Sequence, residues 1–166
     1  MANTPLNSYN NHKGTLYLPN IEMFLVFLHR SLYLCSKTKA NLMLENGLTH
    51  TSTRTVEEHH LASHVGSGDL RVLSTPSMIA LMEEASMLCA APHLSEGQTT
   101  VGGHISASHL KPTAHGRNIT ATATLTAVEG RKLQFNVTAS DENGVIGEGE
   151  HTRFIVDREK FMERLG

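Results

Sequence analysis

Tryptophan is absent from the 166-residue chain, and the three aromatic types together make up 5% of it. Any core must therefore be filled by Leu, Ile, Val, Met and Ala. There are two cysteines, Cys35 and Cys89. Two thiols cannot build a disulfide framework; they suit a reducing compartment, and a cytoplasmic location is expected. Cys-x-x-Cys and His-Glu-x-x-His are missing, which removes the common zinc patterns. Gly66-Ser67-Gly68 lacks the Lys and the strand–helix setting of a phosphate loop. The longest apolar stretch, Ile21 to Leu28, carries Glu22 and runs into His29 and Arg30. It is too short for a membrane span of about 20 residues. One Lys precedes it and no Ala-x-Ala site follows, so it does not read as a signal peptide. With a formal charge of −2, the chain has no broad basic field. That argues against nucleic acid or an anionic membrane as partner.

What remains is the length and composition of one globular domain, with 39% hydrophobic residues. The charge is uneven. Residues 1–42 hold Lys13, Arg30, Lys37 and Lys39 against Glu22 alone, leaving ten basic and fifteen acidic residues to 43–166. The texture also becomes domain-like at Met43. Residues 1–42 are read as an N-terminal extension, poorly ordered or an artefact of start-site choice, and 43–166 as the functional domain.

Leu48 to Val56 is rich in Thr and compatible with a strand. Glu57 to Gly68 is polar, with His59, His60 and His64 in a ligand-like spacing, yet no third or fourth ligand completes a set, and no metal is expected. At Ser74-Thr75-Pro76 a hydroxyl precedes Pro, the signature of a helix start. The helix is expected over about 76–91, stopping near Pro92. Met78, Ile79, Leu81, Met82, Met87, Leu88 and Cys89 with four alanines leave it almost no polar face, so it should be buried on most sides. Glu83 and Glu84 sit mid-helix, about 100° apart, and cannot point the same way. The pattern then changes to period two. Thr99 to His109, Arg117 to Val128, Lys132 to Ser140 and Val145 to Val156 read as strands in an antiparallel meander. Ile119, Ala121, Ala123, Leu125 and Ala127 share one face of the second, and Leu133, Phe135, Val137 and Ala139 one face of the third. Asn143-Gly144 marks a hairpin turn. Asp157 should cap a short helix, Arg158 to Leu165. The expected class is α+β, one antiparallel sheet wrapped on one buried helix. Its exposed edge invites dimerisation.

Two stretches carry a resemblance. One is Leu73-Ser74-Thr75-Pro76-Ser77-Met78-Ile79-Ala80-Leu81-Met82-Glu83. The other is Thr100-Val101-Gly102-Gly103-His104-Ile105-Ser106-Ala107-Ser108-His109-Leu110. Ala127 to Leu133 and Gly147 to Arg153 support them. Together they resemble the hotdog-fold thioesterases, and more closely the fluoroacetyl-CoA thioesterase subgroup, over about Leu48 to Leu165. The resemblance implies a hotdog fold, hydrolysis of an acyl-CoA thioester and a homodimer or dimer of dimers. It implies no cofactor beyond the coenzyme A of the substrate. It also implies working residues: Thr75 at the helix start, Glu83 eight residues on, and His109 ending the next strand. The amide of Gly102 would face the thioester carbonyl, with Gly103 beside it. Fluoroacetyl selectivity in that subgroup goes with aromatic lid residues before the helix, and no Phe or Trp stands between Leu44 and Glu83.

Thioester hydrolysis needs an activated water or a nucleophile, a polarised carbonyl and a proton for the leaving thiolate. Glu83 suits the first as general base or nucleophile. Desolvation would raise its pKa and an imidazolium would lower it. His109 would orient it and move the proton, and Thr75 would hydrogen-bond substrate or water. Glu84, nine residues from Thr75, is left structural. The phosphates of coenzyme A call for basic residues at the rim, and Lys111, Arg117, Arg131, Lys132 and Arg153 are the candidates. Two other readings of the same fold are a non-catalytic acyl-CoA-binding module and a hydratase or dehydratase.

Overall fold

The fold was obtained as a computed structural model, and the residues it describes are 43–166. The extension expected over 1–42 lies outside the described residues. The strands are β1 (Thr49–Thr55), β2 (Gln98–His109), β3 (Asn118–Glu129), β4 (Lys132–Asp141) and β5 (Gly144–Asp157). A short helix α1 (Ala62–Val65) precedes the long helix α2 (Thr75–Ala90), and α3 (Arg158–Glu163) follows β5. The strands form one antiparallel sheet in the order β1-β3-β4-β5-β2. Among the described residues no helix is long and apolar enough to cross a membrane.

The period-two pattern explains which face is buried. Ile119, Ala121, Ala123 and Leu125 of β3 and Leu133, Phe135, Val137 and Ala139 of β4 point under α2, each at most 1% exposed. Met78, Leu81, Met82, Ala85 and Cys89 of α2 come down onto them. Each Leu, Met or Phe so placed contributes about 1.5–3 kcal/mol of transfer free energy. The alanines of β3 let the helix sit close. Gly147 does the same for β5: a Cβ there would stand 2.5 Å from Met78 Sδ. Leu44 and Leu48 pack against the same core.

Two expectations are corrected. The four-strand meander is found for β3, β4 and β5 only, while β2 pairs with β5. Pro112 has no N–H to continue a hairpin ladder. The amides of Leu110 and Lys111 instead turn to the carbonyl of Ile146, at 2.7 and 3.3 Å, and Leu73 N takes the carbonyl of Thr113 at 2.8 Å. These bonds tie the β2–β3 connection to β5 and to the approach to α2. Ala127 does not continue the inward face of β3. A bulge between Leu125 and Ala127 shifts the phase, setting Val128 opposite Leu133 and Ala127 opposite Gln134. The helix α2 is buried on most sides, as expected, and one strip of it stays open. Pro76, Ala80 and Met87 are exposed, and Glu83 lies half-buried in that strip. The outer edges of β1 and β2 have no strand partner among the described residues.

Candidate active site

The start of α2 sets the first half of the site. Ser74, in extended backbone, is the N-cap, and its hydroxyl accepts from Ser77 N at 3.1 Å. Its own N–H goes to the carbonyl of His60 at 2.9 Å. Capping therefore does not need Thr75, whose hydroxyl is free for another partner. Thr75 Oγ1 lies 2.9 Å from His109 Nδ1, at the end of β2. His109 Nε2 is buried and has no hydrogen-bond partner among the described residues. A buried imidazole nitrogen left unpaired points to a group that the chain itself does not supply. Both residues border a cavity of about 320 Å³, which Val72, Leu73, Lys111 and Pro112 also line.

The second half gathers around Glu83. Its carboxylate overhangs Gly102: a Cβ on that glycine would stand 2.9 Å from Glu83 Oε1 and 3.3 Å from His151 Cε1. Any side chain at 102 would displace the carboxylate. Beneath lies a buried polar floor. Arg153, 6% exposed, donates from Nε to Thr100 Oγ1 and from Nη2 to the Thr100 carbonyl, both at 2.9 Å. Its Nη1 lies 3.1 Å from His151 Nε2 and 3.4 Å from the carbonyl of Glu83. Arginine only donates, so His151 Nε2 accepts and carries no proton. Nδ1 then holds the proton and donates to the His104 carbonyl at 2.7 Å. His151 is thus a neutral imidazole of fixed tautomer, and its 3.8 Å approach to Glu83 Oε1 is not an ion pair. Burial pushes the His151 pKa below its usual value; Arg153 adds to that, and the His104 carbonyl and Glu83 oppose it. Burial likewise lowers Arg153, with Glu83 opposing.

A bulge in β2 between Gly102 and His104 completes this half. It leaves an extra residue, Gly103, outside the ladder. Gly103 faces Phe154, whose ring would stand 2.4 Å from a Cβ at 103.

The structure thus joins Thr75 to His109, and Glu83 to Gly102. It does not join the two pairs within one chain. Eight helical residues place Thr75 and Glu83 about 12 Å apart along the axis. Of the residues expected at a rim, Lys111 borders the Thr75–His109 cavity. Arg117 pairs with Glu142 at 2.5 Å, and Lys132 pairs with Glu129 at 3.4 Å. Arg153 lies inside, engaged as described. Glu84 turns away from Glu83 and pairs with Arg54 of β1. Among the described residues no three His, Cys, Asp or Glu side chains gather as a metal-ligand set. His151 was missed in the sequence. Its signal was positional: it shares with Arg153 the inward register of β5, where apolar residues belong.

Comparison with known proteins identifies the family and the fold. A sequence model of the fluoroacetyl-CoA-specific thioesterase family matches residues 56–159. A fluoroacetyl-CoA thioesterase from Streptantibioticus cattleyicolor is 40% identical over 94 residues, 57% of this chain and 68% of that protein. A variant of the fluoroacetyl-CoA-specific thioesterase, solved with fluoroacetate and CoA, is 33% identical. Its match has a TM-score of 0.68 and covers 71% of this chain and 99% of that one. A hot-dog-like protein from Thermanaerovibrio acidaminovorans, 22% identical with a TM-score of 0.68 over 75% of this chain and 93% of its own, shares the fold. On the extent of these matches, the chain belongs to the fluoroacetyl-CoA-specific thioesterase family and has its hotdog fold.

Proposed function

We propose that the chain hydrolyses the coenzyme A thioester of a short or modest acyl group, with Glu83 as general base or nucleophile, in a site completed by a second copy of the chain. The observation that carries this reading is the carboxylate of Glu83 poised over Gly102, where a bulge releases backbone from the ladder. In the base form, Glu83 takes a proton from water as its oxygen attacks the thioester carbonyl. The oxyanion is received by the backbone amides at Gly102–Gly103. Collapse breaks the C–S bond, and the proton taken up by Glu83 passes through an imidazole to the leaving thiolate, which restores the carboxylate and the neutral imidazole.

That imidazole is the partner's His109. Among the described residues β2 is an unpaired edge, and antiparallel pairing with its own copy about Ser106 sets Ile105 opposite the partner's Ala107. Through the bulge, Gly102–Gly103 then falls opposite the partner's His109. The exposed strip of α2 with Pro76, Ala80 and Met87 borders the same edge and would be covered by the dimer. Fluoroacetyl selectivity is not part of the proposal, because the segment before Glu83 has no Phe or Trp. Buried, free Cys89 fits the cytoplasm as the location.

The test is release of free thiol from a panel of short, branched and aryl acyl-CoAs, comparing wild type with Glu83→Gln. Turnover of at least one thioester, lowered about 100-fold or more in a variant of unchanged circular dichroism, is expected. Binding of acyl-CoA without thiol release, or release indifferent to Glu83, overturns the catalytic reading.

A further inference from the structure

Two adjacent glycines inside a strand weaken it, because neither has a side chain to pack and both lose much freedom on ordering. Gly102 and Gly103 stand together in β2, and neither has a positive φ. The backbone would accept other residues at both positions. What excludes a side chain is a neighbour on each face of the sheet. On the inner face, a Cβ at 102 would stand 2.9 Å from Glu83 Oε1, 3.3 Å from His151 Cε1 and 3.8 Å from Arg153 Nη1. At 103 a Cβ would stand 2.4 Å from Cε2, 2.8 Å from Cδ2 and 3.7 Å from Cζ of Phe154. The contacts at 102 belong to the site already described. Phe154 does not: it is 40% exposed and lies on the face away from α2.

The register shows what the ring covers. Val101 faces Phe154, Gly102 faces Arg153 and His104 faces Thr152, so no residue of β5 is opposite Gly103. A bulge residue lacks the ladder bonds that hold the rest of its strand. With two glycines in succession, this is the least restrained point of β2. Arg153 and Phe154 are consecutive, so their side chains leave β5 on opposite faces. The bulge is therefore confined from within by Glu83, His151 and Arg153, and from outside by one ring. Oxyanion donors act by standing in place before charge develops. Amides on an unrestrained Gly-Gly bulge would spend part of their time turned away.

We infer that Phe154 is a positioning residue for the reaction: its ring clamps the bulge at Gly103 and so holds the Gly102–Gly103 amides toward the thioester oxygen. The inference rests on the thioesterase reading of this site and deepens it. Gly103 and Phe154 form a matched pair. A side chain at 103 collides with the ring, and glycine without the ring is loose.

The test uses that pairing. Phe154→Ala unclamps the bulge, and Gly103→Ala sets a methyl against the ring. Combined, they exchange the ring for a Cβ that itself narrows the backbone freedom of residue 103. Kinetics is measured on the acyl-CoA that the wild type hydrolyses fastest. Each single variant should lower kcat about tenfold, less than the roughly 100- to 1000-fold cost of losing an oxyanion donor, with KM within about twofold. The double variant should return to within about threefold of wild type, whereas independent lesions would multiply to about 100-fold. NMR relaxation reads the bulge without any substrate. Amide order parameters at 102 and 103 should fall from about 0.85 to below about 0.6 in Phe154→Ala and recover in the double variant. Phe154→Leu takes the place of Phe154→Ala if that variant fails to fold. A kcat within about twofold of wild type in the unclamped variant, multiplicative losses in the double variant, or unchanged order parameters overturn the inference. Amides that loosen and recover in a protein that hydrolyses no thioester uphold the clamp and remove the hydrolytic reading, so the two failures are separate.

Discussion

The proposed division of the site between two copies makes a quantitative prediction about mixed dimers. Thr75 and His109 are hydrogen-bonded at 2.9 Å, and Glu83 lies about 12 Å farther along the helix. Reacting groups must come within about 3–3.5 Å of one carbonyl and one water, so one chain does not bring both halves to the same substrate. Glu83→Gln and His109→Ala should each leave below about 1% of wild-type activity as homodimers. Co-expressed with different affinity tags and purified over both, they give a heterodimer in which Glu83 of one copy faces His109 of the other in one of two sites. That site is wild type, and about half of the wild-type specific activity should return. The reciprocal heterodimer pairs a wild-type chain with a Glu83→Gln, His109→Ala double variant, and each of its sites carries one lesion. It should be as inactive as the single variants. Sites contained within one chain give the opposite pair of results: nothing from the first heterodimer and half from the second. That outcome would refute the reasoning, and a monomeric sedimentation coefficient for the active enzyme would refute it independently.

The other predictions separate stability from chemistry. Ser74→Ala removes the cap of α2 and should lower stability by about 1 kcal/mol, read as a fall in Tm, with kcat kept. Thr75→Val should do the reverse, leaving Tm in place while kcat/KM falls on the order of tenfold, the value of one hydrogen bond. Gly102→Ala puts a methyl 2.9 Å from Glu83 Oε1. The half-exposed carboxylate swings outward, so kcat should fall about 100-fold with less than about 2 kcal/mol lost from stability, and a crystal structure of the variant should show the moved carboxylate. His151 sets a pH dependence. Its folded pKa lies below the usual 6.5 because of burial, so below that pH the unfolded chain takes up a proton that the folded one refuses. Stability should therefore decline as pH falls through 6.5 and level off below the folded pKa, at no more than about 1.4 kcal/mol per pH unit for this group. Buried His60 is shifted the same way, so the measurement is the difference: the Tm–pH slope of His151→Asn should be shallower than that of wild type.

The local elements were legible because their signals are local. Ser-Thr-Pro before a run of Met, Leu and Ala gave α2, and strict alternation gave the buried faces of β3 and β4. The choice of partner for β2 was not legible, since periodicity says which face a strand buries and nothing about its neighbour. The connection through Pro112, tied to Ile146 and Leu73, decided it. The bulges were equally hidden. The one after Leu125 has no glycine to announce it, and it reversed Ala127 and Val128. Thr75, Glu83, Gly102 and His109 stood out through their resemblance to a family. That they fall into two pairs depends on how the helix crosses the sheet, which no spacing records.

Arg153 shows most plainly what a sequence reading leaves out. As one of several basic residues on a strand, it looked like a contact for phosphate. Inside the fold it is 6% exposed, with Thr100 and His151 as partners and, among the described residues, no carboxylate within ion-pair distance. A buried guanidinium is a poor stabiliser: apolar side chains of similar size in such places often give an equally or more stable protein. Packing alone therefore does not account for Arg153 and His151 in the inward register of β5. Their position does. They lie directly under the one carboxylate on the open strip of α2, and the guanidinium fixes the His151 tautomer so that no imidazolium pairs with Glu83 and ties it down. The guanidinium is held at a set depth below Glu83, with a neutral imidazole between, and neither group occupies the carboxylate oxygens. Those oxygens then stay available to a water or a thioester above Gly102.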